Sequence, residues 1–151
     1  MTNPLILPKT VKKPWGDEVW IADGERTPYA LKKITFLAGN QSSLHVHRYK
    51  FETNFVLSGT GVIQLSKRVI DTQLLSDPNA RNSITSDVLK DLIEYRIEAG
   101  NIVDVPPGIV HRVIAETDLV FIEASTPELE DVFRLLDDSH RSDGKIDSEH
   151  Q

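Results

Sequence analysis

Between residues 29 and 125 the chain is a succession of short runs rich in Val, Ile, Leu, Phe and Thr, each closed by Gly, Pro, Asn or Ser. No other feature constrains the fold as much. Runs this short suit strands and leave no room for helical periods between them, and many such strands separated by turns specify a sandwich or barrel. The expected strands are 29–37, 43–47, 52–57, 61–65, 94–97, 102–105, 111–115 and 119–124. The turns are Ala38-Gly39-Asn40, Ser58-Gly59-Thr60-Gly61, Ala99-Gly100-Asn101 and Pro106-Pro107-Gly108. The sequence is therefore read as one all-β domain, with residues 1–28 an N-terminal extension packing on the barrel or on a dimer partner.

Two segments break the rhythm. Residues 66–95 read as an insertion, in which Ser86 caps a short helix with Val88, Leu89, Leu92 and Ile93 on one face. In 126–141, Leu129, Val132, Phe133 and Leu136 recur at helical spacing behind Thr126-Pro127, which predicts a C-terminal helix. The polar residues 142–151 read as a disordered tail.

Composition bears mainly on what is excluded. Among 151 residues there is no cysteine, so neither a disulfide framework nor a thiolate metal site is available. Asp and Glu outnumber Lys and Arg by 23 to 17, a charge of −6 that opposes a broad grip on nucleic acid or anionic lipid. The apolar run Leu5-Ile6-Leu7 is too short for a signal-peptide core, and no stretch approaches the ~18 apolar residues of a membrane span. A cytoplasmic location is expected.

The chemistry gathers around histidine. His45 and His47 are two residues apart, which in a strand puts both imidazoles on one face; Glu52 follows at the start of the next strand, and His111 comes after the Pro106-Pro107-Gly108 turn. A His-x-His pair by itself is more often a pair of surface residues than a ligand set. Three imidazoles and a carboxylate together suit one divalent ion such as Zn, Mn, Fe, Ni or Co, with positions left open for substrate. Alternation puts Lys32 on the face of Ile34 and Phe36, which directs it either into the barrel or to its rim. It leaves the facing of Glu123 open. Arg112, next to His111, should face away from the metal. Trp15 and Trp20 are read as packing residues rather than sugar-stacking platforms.

Gly39-x5-His45-x-His47-x4-Glu52-x6-Gly59 and Gly100-x5-Pro106-x-Gly108-x2-His111 resemble the two signature motifs of the cupin superfamily, with Ala115 standing where that family usually has Asn. The resemblance implies a double-stranded β-helix, or jelly roll, with His45, His47, Glu52 and His111 on one metal. A narrower likeness runs from about residue 13 to 141, through Lys13-Pro14-Trp15-Gly16, Leu31-Lys32-Lys33-Ile34, Val56-Leu57-Ser58-Gly59-Thr60 and Ile122-Glu123. Those segments are similar to the cupin domain of type II mannose-6-phosphate isomerases, often the C-terminal part of a bifunctional enzyme. The likeness implies aldose–ketose isomerisation through an enediolate, or a related transformation, of a sugar phosphate or nucleotide-linked sugar, with Glu123 or Lys32 as the base and Lys50, Arg134 and Arg141 as substrate ligands. Against that pattern, His45 replaces Gln, Lys50 replaces Arg, Asn54 replaces an aromatic, and Ser139-His140-Arg141 replaces Tyr-Gly-Arg. Two other readings fit the same ligand set: an iron dioxygenase and a non-catalytic metal-containing sugar-binding module. The resemblance further implies a homodimer formed through a barrel edge, with Leu5, Ile6, Leu7 and Val11 contributing.

Overall fold

Every strand pairing is antiparallel, as expected of short runs joined by tight turns. The computed structural model describes residues 4–128, 131–137 and, for the backbone alone, 144–146. One six-stranded sheet runs β1 (Lys9–Lys13), β2 (Gly16–Asp23), β3 (Ala30–Phe36), β10 (Leu119–Ser125), β5 (Glu52–Ser58) and β8 (Ile102–Val105). The second runs β12 (Gly144–Ile146), β11 (Val132–Leu136), β4 (Leu44–His47), β9 (His111–Ala115), β6 (Thr60–Leu65) and β7 (Ile93–Glu98). Eight of these strands match the sequence reading to within two residues at either end.

Burial follows the pleat. In β3, residues 30, 32, 34 and 36 are buried and those between are not. The inner faces of the two sheets meet over Trp15, Ile34, Phe36, Val56, Ile63, Val113 and Phe121, with the Trp15 ring stacked 4.2 Å from Phe36. A second apolar cluster lies on the outer side of the second sheet. There Leu44, Val46, Phe133 and Leu135 pack under Leu75 and Val88 of the insertion. The insertion is thus a cover for one wall of the barrel.

Four expectations are corrected. Residues 132–136 form strand β11, not the C-terminal helix expected over 126–141. Val132 and Arg134 face the interior while Phe133 and Leu135 face the insertion, and a strand buried on both sides has no period-2 contrast to distinguish it from a helix. The tail expected over 142–151 contains β12, which pairs Ile146 with Val132 and Gly144 with Arg134. Backbone pairing of this kind needs no apolar side chains. The rest of that tail lies outside the described residues. The extension 1–28 supplies β1 and β2, so it is part of the first sheet. The helix of the insertion, α1 (Pro78–Asp91), begins at Pro78 with Asp77 as its cap, well before Ser86. A 3-10 turn over Thr72–Ser76 leads into it.

Candidate metal centre

Strand β4 carries His45 and His47 inward while its intervening residues Leu44 and Val46 anchor in the outer cluster, which fixes the direction of both imidazoles. Its neighbour β9 begins at His111, in register with His45. Glu52 opens β5 on the opposite sheet, and the backbone N–H of Gly108 donates to His47 O at 2.9 Å, closing the proline-rich turn onto the site. The potential ligand atoms of the three histidines lie within 4.8 Å of one another. Three histidines converging in this way can hold a metal ion.

The hydrogen bonds behind the rings test that fit. Each Nδ1 faces a main-chain carbonyl: Ser43 O at 2.8 Å for His45, Asp131 O at 2.9 Å for His47 and Ile109 O at 3.0 Å for His111. A carbonyl can only accept, so Nδ1 carries the proton and the Nε2 lone pair is turned to the cavity, the tautomer a metal requires. Burial, with His111 and His47 nearby, holds His45 well below the usual histidine range. Burial and the Lys50 charge bring His47 down to about 3. Burial alone would push Glu52 up, but Lys50 and His111 outweigh it and keep the carboxyl well below the ordinary value. His111 Nε2 and Glu52 Oε1 approach to 2.9 Å. A carboxylate oxygen and an imidazole nitrogen at that distance can hold a positive charge between them, a proton or a metal ion, so the donor set suits an ion.

The wall facing the histidines is polar and buried. Lys32, Glu123 and Asn54 stand side by side on β3, β10 and β5. Lys50 Nζ is 2.8 Å from Glu123 Oε1 and 3.7 Å from Glu52 Oε2. Lys32 Nζ is 3.2 Å from Glu18 Oε1 and 4.6 Å from the centre of the Trp20 ring. Burial and the Glu52 charge push Glu123 up to about 8. The cavity between the walls measures about 90 Å³, several times the ~10–15 Å³ a water needs.

Of the residues expected from sequence, His45, His47, Glu52, His111, Lys32, Lys50, Glu123 and Arg134 all line this cavity. Lys50 differs from expectation in that its ammonium is committed to two carboxylates. Arg141 lies outside the described residues. Arg112 faces away, as expected, donating to Ser42 O. Sequence reasoning missed Glu18, although Glu18, Trp20 and Ala22 share one face of β2 by simple alternation. It also missed Asp131, whose main-chain oxygen orients His47 and whose carboxylate accepts from the amides of Tyr49 and Lys50. No short-range pattern marks that residue.

No family model matches the sequence, and no curated protein matches it. Solved structures do. CapF, the capsular polysaccharide assembling protein of Staphylococcus aureus, superposes with a TM-score of 0.65 at 20% identity over 89% of this chain and 33% of its own. The oxalate decarboxylase of Lactobacillus farciminis, solved as a formate complex, gives 0.61 at 14% identity over 85% of this chain and 33% of its own. The fold is the cupin jelly roll. KdgF from Halomonas sp. gives 0.56 at 16% identity, covering 80% of this chain and 86% of that one. The chain spans about a third of the length of the CapF and oxalate decarboxylase chains. Among its described residues no helix is long and apolar enough to cross a membrane.

Proposed function

We propose that this cupin holds one divalent ion on His45, His47, Glu52 and His111 and isomerises a small sugar phosphate between aldose and ketose forms. The observation that carries the reading is the two-sided cavity. Three imidazoles and an ionised carboxylate form one wall, and a proton-exchanging carboxyl flanked by two ammonium groups forms the other. The sequence likeness to type II mannose-6-phosphate isomerases supports the substrate class.

The ion supplies, when bound, a Lewis acid that spreads the negative charge of an enediolate. Glu123, pushed to about 8, exchanges its proton near neutrality, where a general base works best. Its ionised form takes the proton from C2 of the aldose, the C–H electron pair becoming the C1–C2 double bond. Returning that proton to C1, while the hydroxyl proton of O2 passes to O1, gives the ketose with no net oxidation. Lys50, 2.8 Å from Glu123, stabilises the ionised form that begins each turnover. Lys32 stands beside Glu123 in the sheet and holds a sugar hydroxyl, and Arg134 binds the anionic group. A cavity of about 90 Å³ takes the reacting end of a sugar.

The test begins with elemental analysis of the purified protein and of His45→Ala and His111→Ala, expecting about one ion in the wild type and little in either variant. Mannose and fructose 6-phosphates are then assayed in deuterated water. Turnover with deuterium entering the product supports the isomerase. Full metal content in both variants removes the centre; oxygen uptake by an iron-loaded form would make it a dioxygenase, and tight sugar binding without turnover a binding module.

A further inference from the structure

One row of inward side chains crosses four strands of the first sheet. Trp20 on β2 stands beside Lys32 on β3, Lys32 beside Glu123 on β10, and Glu123 beside Asn54 on β5. Glu52 lies two residues before Asn54 on the same strand, so both share the inner face. Cβ atoms of neighbours in such a row are ~5 Å apart, and those two residues apart on one strand ~7 Å. Asn54 is therefore next to both Glu123 and Glu52. It is 4% exposed and lines the cavity. The polar groups around it are committed elsewhere: the Lys32 ammonium to Glu18 at 3.2 Å, the Trp20 indole to Glu18 at 3.0 Å and the Lys50 ammonium to Glu123 at 2.8 Å. The Asn54 carboxamide has no hydrogen-bond partner among the described residues. A buried amide brings two donors and an acceptor, and folding gains nothing by leaving them unpaired. Val56, the next inward residue of β5, is an apolar core residue, so this face of the strand accepts an apolar side chain without difficulty.

We infer that the Asn54 carboxamide reads a hydroxyl on or beside the reacting carbons of the substrate, a role that rests on the sugar reading of the cavity and narrows its substrate class. A substrate held between Glu123 and the three histidines brings those carbons over the strand that carries Asn54. An amide is uncharged, and it both donates and accepts. A hydroxyl does the same and pairs with either half of the amide, whereas an ionised carboxylate only accepts and leaves the amide oxygen facing no donor. Lys32, Lys50 and Arg134 already supply this cavity with positive charge for an anionic group. What Asn54 adds is selection for a hydroxylated chain over a small dicarboxylate. A site built to hydrogen-bond a hydroxyl rejects the analogue that lacks it, because its own buried polar group is then stranded.

Isothermal titration of the purified protein and of Asn54→Leu with mannose 6-phosphate, its 2-deoxy and 3-deoxy counterparts and malonate tests this. The leucine keeps most of the volume and removes the amide. The wild type should bind mannose 6-phosphate at least ~tenfold tighter than one of the two deoxy sugars. In Asn54→Leu that preference should shrink below about threefold through weaker binding of mannose 6-phosphate, with malonate unaffected. The variant should keep its metal content and its Tm, since no internal hydrogen bond is lost; a residue that served only the fold would lower the Tm. The inference is overturned by equal preference in wild type and variant, by a wild type that does not distinguish or does not bind these sugars, or by a tenfold loss of malonate binding in the variant. Binding with the expected preference but no turnover would sink the isomerase and leave Asn54 as the hydroxyl reader, and turnover without the preference would do the reverse.

Discussion

Replacing Lys32 by Met tests how the polar wall is held together. The side chain is 2% exposed, its ammonium lies 3.2 Å from Glu18 and its charge sits over the Trp20 ring. Methionine keeps most of the volume and removes the charge, which strands a buried carboxylate. Removing one member of a buried ion pair costs about 3–5 kcal/mol because the other remains desolvated and charged. Glu18 retains the Trp20 indole N–H at 3.0 Å and the field of Lys13, which puts Lys32→Met near the lower end, about 3 kcal/mol. For a domain of this size that corresponds to a fall in Tm of about 6–12 °C. Glu18→Gln alone strands the ammonium instead, while the double variant removes both charges and keeps an acceptor for the indole. The double variant should be at least ~2 kcal/mol more stable than the sum of the singles predicts, a coupling expected of groups in contact. Urea unfolding at pH 7, followed by tryptophan fluorescence and circular dichroism, measures all four corners of the cycle. A loss below about 1 kcal/mol for Lys32→Met, or additive singles, would refute the claim that this pair is a unit.

Burial alone would raise Glu18, but Lys32, Lys13, Trp20 and Lys50 outweigh it and hold it below its ordinary 4.5. Its contribution to stability is accordingly present above that pH and lost as pH falls through the depressed value, so urea midpoints should drop in acid and drop less in Glu18→Gln. Gly39 and Gly59 both have positive φ, but a Cβ at Gly39 meets nothing within 4 Å whereas one at Gly59 would lie 2.0 Å from Asp118 O. Gly39→Ala should cost about 1–2 kcal/mol from the backbone alone, and Gly59→Ala distinctly more, by thermal unfolding. Asp77→Ala, which removes the cap from α1, should cost about 1 kcal/mol in the same assay.

Much of the centre is legible because its histidines obey short-range rules. His45 and His47 share a face through the two-residue period of a strand, and the glycines and prolines around them mark where strands end. β11 was not legible, since Val132, Phe133, Arg134 and Leu135 are buried on both sides and carry no alternation. The start of α1 was obscured by the polar stretch Asn79–Thr85, whose helix buries little more than Val88. Glu18 does not stand out because the residues around it, Trp15 and Trp20 included, lie ahead of the first clear strand pattern, in a segment whose place in the sheet wall the sequence does not show. Asp131 acts from 84 residues beyond His47 through a main-chain oxygen, and the identity of a side chain says nothing of such a contact.

Strand β4 spans four residues and has no idle face: alternate side chains join the histidine cluster on one side and the insertion on the other. Grip on the ion and seating of the insertion are thus two readings of one local equilibrium. Whatever lifts residues 66–92 frees the backbone that aims two imidazoles, so the ion's residence time becomes a clock for that opening. Conversely, an ion loaded into the centre should slow amide exchange at Leu75 and Val88, on the other side of β4, by the share of its binding energy invested in closing β4.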